Sequence, residues 1–75
     1  MTSGKIAQIV GPVIDVEFSS ESGLPKIYDS LEIEKSDGTK LVLEVQAHIG
    51  ENMVRTIAMD SSDGLSRGAE AKPTN

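Results

Sequence analysis

The side chains able to do chemistry in this chain are few and poorly grouped. His48 is the only histidine. A catalytic or metal-binding role would require a second imidazole or a cluster of carboxylates within reach. Glu44, Gln46 and Glu51 lie near it in sequence but at no recognised ligand spacing, so His48 reads as a surface or interface residue. Carboxylates occur in close pairs, Asp15 with Glu17, Glu32 with Glu34 and Asp60 with Asp63. Two steps along a strand put both members on one face, as acid–base chemistry would want. No pattern around them suggests a pocket, and the solvated outer face of an acidic protein accounts for them. Arg55 differs, because it sits inside an otherwise apolar run where an isolated charge is costly to bury. It is expected to pair with Asp15, with Asp60 or with a neighbouring chain.

Phosphate-binding loops are missing. No Gly is followed at the required spacing by Gly-Lys-Ser/Thr, and no Gly-x-Gly-x-x-Gly occurs. The glycines at positions 4, 11, 23, 38, 50, 64 and 68 fall at apparent strand ends or in turns, where backbone freedom explains them. No set of nucleophile, base and orienting group is present, so a small enzyme has nothing to support it.

With 75 residues the chain reads as one domain, residues 1–75. A domain of this size buries only about 60% of the surface its unfolded chain exposes, so the core is thin and partner contacts bear on how well it folds. The absence of cysteine removes disulfides and thiolate metal sites and suits a reducing compartment. A formal net charge of -5 and just two aromatic residues, Phe18 and Tyr28, argue against nucleic acid, which calls for basic patches and stacking platforms. Direct contact with an anionic membrane is disfavoured for the same reason. The opening MTSGKIAQIVG has too short an apolar run for a signal peptide or a membrane span, which predicts a cytoplasmic location.

The elements that must position these residues read as strands. Ile6, Ile9, Val10, Val13 and Ile14 fit either helical spacing or a buried strand, and Gly11-Pro12 decides against the helix. Proline inside a helix costs about 3 kcal/mol and restricts the residue before it. The reading is two strand halves, Lys5 to Val10 and Val13 to Phe18, joined by a kink. Ile14, Val16 and Phe18 then face one way and Val13, Asp15 and Glu17 the other. Residues 19–23 form a polar loop, and Leu24-Pro25 with Ile27 and Tyr28 is expected to pack across an end of the fold.

Ser36-Asp37-Gly38-Thr39 carries a strong hairpin signal and pairs Leu31 to Lys35 with Lys40 to Ile49. Leu41, Leu43, Val45, Ala47 and Ile49 share one face of that longest strand. Gly50-Glu51-Asn52 is a turn. Met53 to Met59 follows, apolar on both faces and hence expected to be central. After the turn cluster Asp60 to Gly64, Gly68 to Lys72 closes the fold before Pro73 ends it. Five or six short strands without a helix indicate an all-β barrel or sandwich. Closure is favoured because it removes exposed edges, which makes a small closed antiparallel β-barrel of these strands the expected all-β architecture. A stand-alone SH3-like or OB-type module binding a peptide or small ligand is the alternative, although only Tyr28 offers an exposed aromatic.

Three stretches, GKIAQIVGPVIDVEF at Gly4 to Phe18, LPKIYDSLEI at Leu24 to Ile33 and LEVQAHIGENMVRTIAMDSSDGLSRG at Leu43 to Gly68, together resemble the N-terminal domain of the β subunit of the F-type ATP synthase family. The V-R-T-I-A-M-D run followed by G-L-S-R-G is its most specific part. The resemblance implies a six-stranded barrel at the top of a hexamer of alternating α and β subunits, where each barrel meets the α-subunit barrels beside it. It implies a role in holding together the ring that carries out proton-coupled ATP synthesis and hydrolysis. ATP or ADP and magnesium would be bound by a later P-loop domain, which these residues do not contain, as they do not contain the helical C-terminal domain. The chain alone would have no catalytic residue, cofactor or metal. It would be a domain cut from a longer subunit or a short homologue of one, in a complex peripheral to the cytoplasmic face of the inner membrane if bacterial. Its structural and interface candidates are Gly11, Pro12, Asp15, His48, Gly50, Arg55, Asp60, Gly64, Arg67 and Gly68.

Overall fold

Gly11 and Pro12 form a complete reversal of the chain in the computed structural model, which describes residues 3–19 and 24–74. Strands β1 (Gly4–Val10) and β2 (Val13–Glu17) pair antiparallel, with Val10 opposite Val13. The expected kink within one bent strand is therefore a two-residue hairpin. Gly11 has φ +58°, and proline supplies a negative φ after it; this sign pattern belongs to a II′ turn, whose twist matches that of the flanking strands. Proline excludes a helix, but it does not distinguish a bend from a reversal.

The other elements are β3 (Ser30–Glu34), β4 (Lys40–Gly50), β5 (Met53–Ala58) and β6 (Glu70–Pro73). Their pairing closes in the order β1-β2-β5-β4-β3-β6 and back to β1, every pair antiparallel. This is the expected closed six-stranded barrel. The Asp37-Gly38 turn joins β3 to β4, with Glu34 opposite Lys40. Glu51 and Asn52 join β4 to β5, both at positive φ (53° and 64°), the sign pattern of a I′ turn. β6 makes the closure by pairing with both β1 and β3. It begins and ends later than expected, and Pro73 lies within it opposite Leu31, at a strand end where a missing N–H is tolerated.

Alternation puts one face of each strand inside. Ile14, Val16, Leu31, Ile33, Leu41, Leu43, Val45 and Val54 are almost wholly excluded from solvent, and Phe18 fills one end. Thr56 also points inward, where its Oγ1 donates to the Ile14 carbonyl at 2.7 Å, so its hydroxyl costs the core little. Gly4 does not follow the turn-glycine explanation. A Cβ there would lie 2.6 Å from Val16 Cγ1 and 3.0 Å from the Phe18 ring, so the interior needs glycine at this position for space.

Two further expectations are corrected. The inward face of β4 runs only from Leu41 to Val45, because register shifts between Val45 and Ala47 and between His48 and Gly50 turn the strand outward, as bulges do; Ala47 is half-buried and Ile49 exposed. Before β3, Leu24 packs on the core and Pro25 is buried, but Ile27 and Tyr28 project outward, with Tyr28 72% exposed. Residues 20–23 of the expected polar loop lie outside the described residues.

Candidate functional site

Asp15 and Arg55 stand directly opposite each other on β2 and β5. Arg55 Nε donates to Asp15 Oδ1 at 3.0 Å and Nη2 to Oδ2 at 3.1 Å, a two-bond fork suited to the planar guanidinium. The expected pairing is present, and Asp15 is the partner. Asp60 is not, since its Oδ1 accepts from the Ser61 amide at 2.8 Å. The two sides of the fork differ in exposure: the Asp15 side chain is 6% exposed and that of Arg55 50%. The hydrogen bonds to Asp15, and then its charge, raise the Arg55 pKa above its already high ordinary value. Arg55 thus covers a buried carboxylate and still presents part of its guanidinium outside.

His48, on β4, bonds through Nε2 to the Pro25 carbonyl at 2.7 Å. A carbonyl only accepts, so Nε2 carries the proton. The imidazole holds the segment before β3 against the barrel, and among the described residues no group of three or more His, Cys, Asp or Glu is placed to hold a metal ion.

Gly11, Pro12, Asp60 and Gly64 gather at one end of the barrel. Ser62 Oγ donates to the Gly11 carbonyl at 3.0 Å and the Ala58 amide to that of Pro12 at 2.8 Å, which brings the segment after β5 beside the first hairpin. Gly68 lies farther along β1, its amide donating to the Ile6 carbonyl at 2.8 Å. Arg67 beside it is exposed. Gly50 opens the turn at the other end of β5. The candidates do not converge on one site; they are scattered over the outer wall and its rims.

The outer wall has a feature that the sequence reading missed. Val10, Val13 and Ile57 are successive register partners across β1, β2 and β5, and on the next row the Met59 amide donates to the Val42 carbonyl at 2.9 Å. These side chains point outward and make one apolar patch, with Val10 58%, Met59 54% and Val42 37% exposed. The available signal was that β5 is apolar on both faces. β5 has a neighbour on each edge, as the expected central strand would, and in a closed barrel such a strand still turns one face outward.

Around β3 and β6 the wall is charged. Lys40 Nζ lies 3.6 Å from Glu32 and Lys72 Nζ 3.8 Å from Glu70, and with Glu34 they line a shallow groove of about 310 Å³. Such exposed pairs contribute little to stability. The register, the filled interior and the strand order together describe a closed antiparallel barrel. The family model described as ATP synthase alpha/beta family, beta-barrel domain, matches residues 6–75, and the chain belongs to that family.

Proposed function

We propose that this chain is the crown barrel of a catalytic β subunit in the F1 sector of a rotary ATP synthase, and that it acts by packing against the α-subunit barrels beside it. The barrel domain of the family is its non-catalytic part, with a structural role in a rotary ATPase-type assembly. The choice of β subunit rests on the V-R-T-I-A-M-D run from Val54 to Asp60. The observation that carries the packing role is the outward patch of Val10, Val13, Ile57, Met59 and Val42. The interior is filled without these residues, and an apolar patch that gathers five side chains on the outer wall is best explained as a docking surface.

In this reading the ring is held by contacts of the barrel wall, and proton-coupled ATP synthesis and hydrolysis take place in other domains. ATP, ADP and magnesium do not fit the residues present, since the phosphate-wrapping loop is missing from the sequence; they belong to the P-loop domain of the parent subunit. If the source is bacterial, the complex in this reading is peripheral on the cytoplasmic face of the inner membrane, with this barrel away from the bilayer.

The test is to mix the chain with an α-subunit barrel and follow complex formation by sedimentation, for the native sequence and for Met59→Glu. Association that Met59→Glu abolishes is the expected result. Absence of association at high concentration, and in a ring where several weak contacts act together, overturns the reading. A second reading, a binding module for an extended peptide, draws on the exposed Ile27 and Tyr28. It predicts peptide binding lost in Tyr28→Ala and unaffected by Met59→Glu.

A further inference from the structure

The tripeptide Ser-Asp-Gly occurs twice, at Ser36-Asp37-Gly38 and at Ser62-Asp63-Gly64. Asp-Gly is chemically predisposed to rearrange, because a glycine without Cβ lets its own amide nitrogen approach the preceding side-chain carboxyl. The nitrogen attacks Cγ of the neutral carboxyl. A C–N bond forms, and the carboxyl OH leaves with the amide proton as water. Water then opens the resulting five-membered imide at either carbonyl. One opening restores aspartate, and the other leaves the chain running through Cγ as isoaspartate. The isomer has the same mass and one extra backbone methylene, and no oxidant or reductant takes part.

The two copies differ in what holds the reacting groups. In the first, Asp37 Oδ1 accepts from the Thr39 amide at 2.9 Å and from Thr39 Oγ1 at 2.6 Å, while the Gly38 amide donates to the Lys35 carbonyl at 2.9 Å. Electrophile and nucleophile are tied to different partners within a hairpin turn closed by strand pairing. The bonds from Thr39, its hydroxyl first, also hold the Asp37 carboxyl below the ordinary carboxylate range, which disfavours the neutral form that reacts. In the second, Asp63 is exposed, and its own amide donates to Ser61 Oγ at 3.1 Å. Among the described residues neither its carboxylate nor the Gly64 amide has a hydrogen-bond partner. This turn lies in the connection between β5 and β6, outside any hairpin.

We propose that Asp63-Gly64 is a site of spontaneous isoaspartate formation, whereas the turn around Asp37-Gly38 protects an identical tripeptide. The extra methylene would be inserted between Ser62, which bonds the Gly11 carbonyl, and Leu65, which packs on the core. It would therefore disturb the segment that lies beside the first hairpin.

The test is to age the folded 75-residue chain at neutral pH, confirm by circular dichroism that it stays folded, and cleave after lysine and arginine. The two sites then separate into the peptides of residues 36–40 and 56–67, and fragmentation distinguishes Asp63 from Asp60. Isoaspartate is expected at Asp63 several-fold faster than at Asp37. In denaturant the two rates are expected to become similar, and Thr39→Val is expected to speed the reaction at Asp37 in the folded chain. Equal rates at both sites in the folded chain, or no product at Asp63 while the denatured chain forms it, would overturn the proposal.

Discussion

β2 and β5 lie across the closed ring from β3 and β6, and the two sides present opposite surfaces. Over β2 and β5 the outer residues are apolar at one end, with Val13, Ile57 and Met59, and carry one half-buried fork, Asp15 with Arg55, further along. Over β3 and β6 they are Glu32, Glu34, Glu70 and Lys72, where Lys72 lies loosely beside Glu70 and Lys40 of β4 beside Glu32. Both sides share the same aliphatic interior, so the difference lies in what each side does outside. The charged side is satisfied by solvent. The apolar side leaves surface whose burial would be worth about 25 cal/mol for each Å², and that makes it the side on which a partner gains most.

Mutations can separate the shared interior from the two walls. The largest effect is expected for Leu43→Ala. Leu43 is fully buried on β4, and truncating such a leucine costs about 2–5 kcal/mol, a large share of what a thin core provides. Urea denaturation should find this variant largely unfolded and both walls lost with it. Gly4→Ala comes next. The added methyl meets Val16 and the Phe18 ring, and overpacking of this kind costs about 1–3 kcal/mol; a stability equal to the native chain would show that the interior yields there.

The fork on the apolar side should respond unequally to loss of its two members. Arg55→Ala leaves the nearly buried Asp15 carboxylate without its guanidinium, whereas Asp15→Asn merely releases the half-exposed Arg55 to water. Thermal denaturation should show the larger fall in Tm for Arg55→Ala, with partial recovery in the double variant. Met59→Glu and Lys72→Gln sharpen the contrast between the walls. Both side chains are exposed, so each should change stability by no more than about 0.5 kcal/mol, yet only Met59→Glu should weaken association with an α-subunit barrel.

The smallest effect concerns Asp37, at the turn leading into Lys40 on the charged side. Its carboxyl is held below the ordinary value of 3.8 by the hydroxyl and amide of Thr39. A carboxyl with a depressed folded pKa contributes stability above its unfolded pKa and loses it as pH falls through the folded one. Native chain and Asp37→Asn should therefore differ slightly in urea midpoint at neutral pH and converge in acid. A gap that persists at low pH would assign the effect to the side chain's shape and not to its charge.

Much of the fold was legible in the residues. Strict alternation identified the inward faces of β2 and the first half of β4, and Asp37-Gly38 marked a hairpin because glycine accepts its φ of +88° without strain. Arg55 was legible as a charge in need of a partner. Its choice of Asp15 over Asp60 was not, because strand register across a separation of 40 residues is settled by how the whole sheet closes. Gly11-Pro12 excluded a helix, but the kink expected there is a reversal, because glycine followed by proline is tolerated in either and the pairing of Val10 with Val13 decides between them.

By itself, then, the order of residues determined which side chains alternate, where the chain can turn and which chemistry is missing, because these follow from period, backbone freedom and side-chain type within a few neighbours. Tertiary structure alone decided three things. The bulges of β4 turned Ile49 outward, the approach of Val16 and Phe18 left a Cβ at Gly4 no room without a shift of its neighbours, and the alignment of β1, β2, β5 and β4 gathered Val10, Val13, Ile57, Met59 and Val42 into one patch. Each depends on distances between segments far apart in the chain, and those exist only once the sheet has closed on itself.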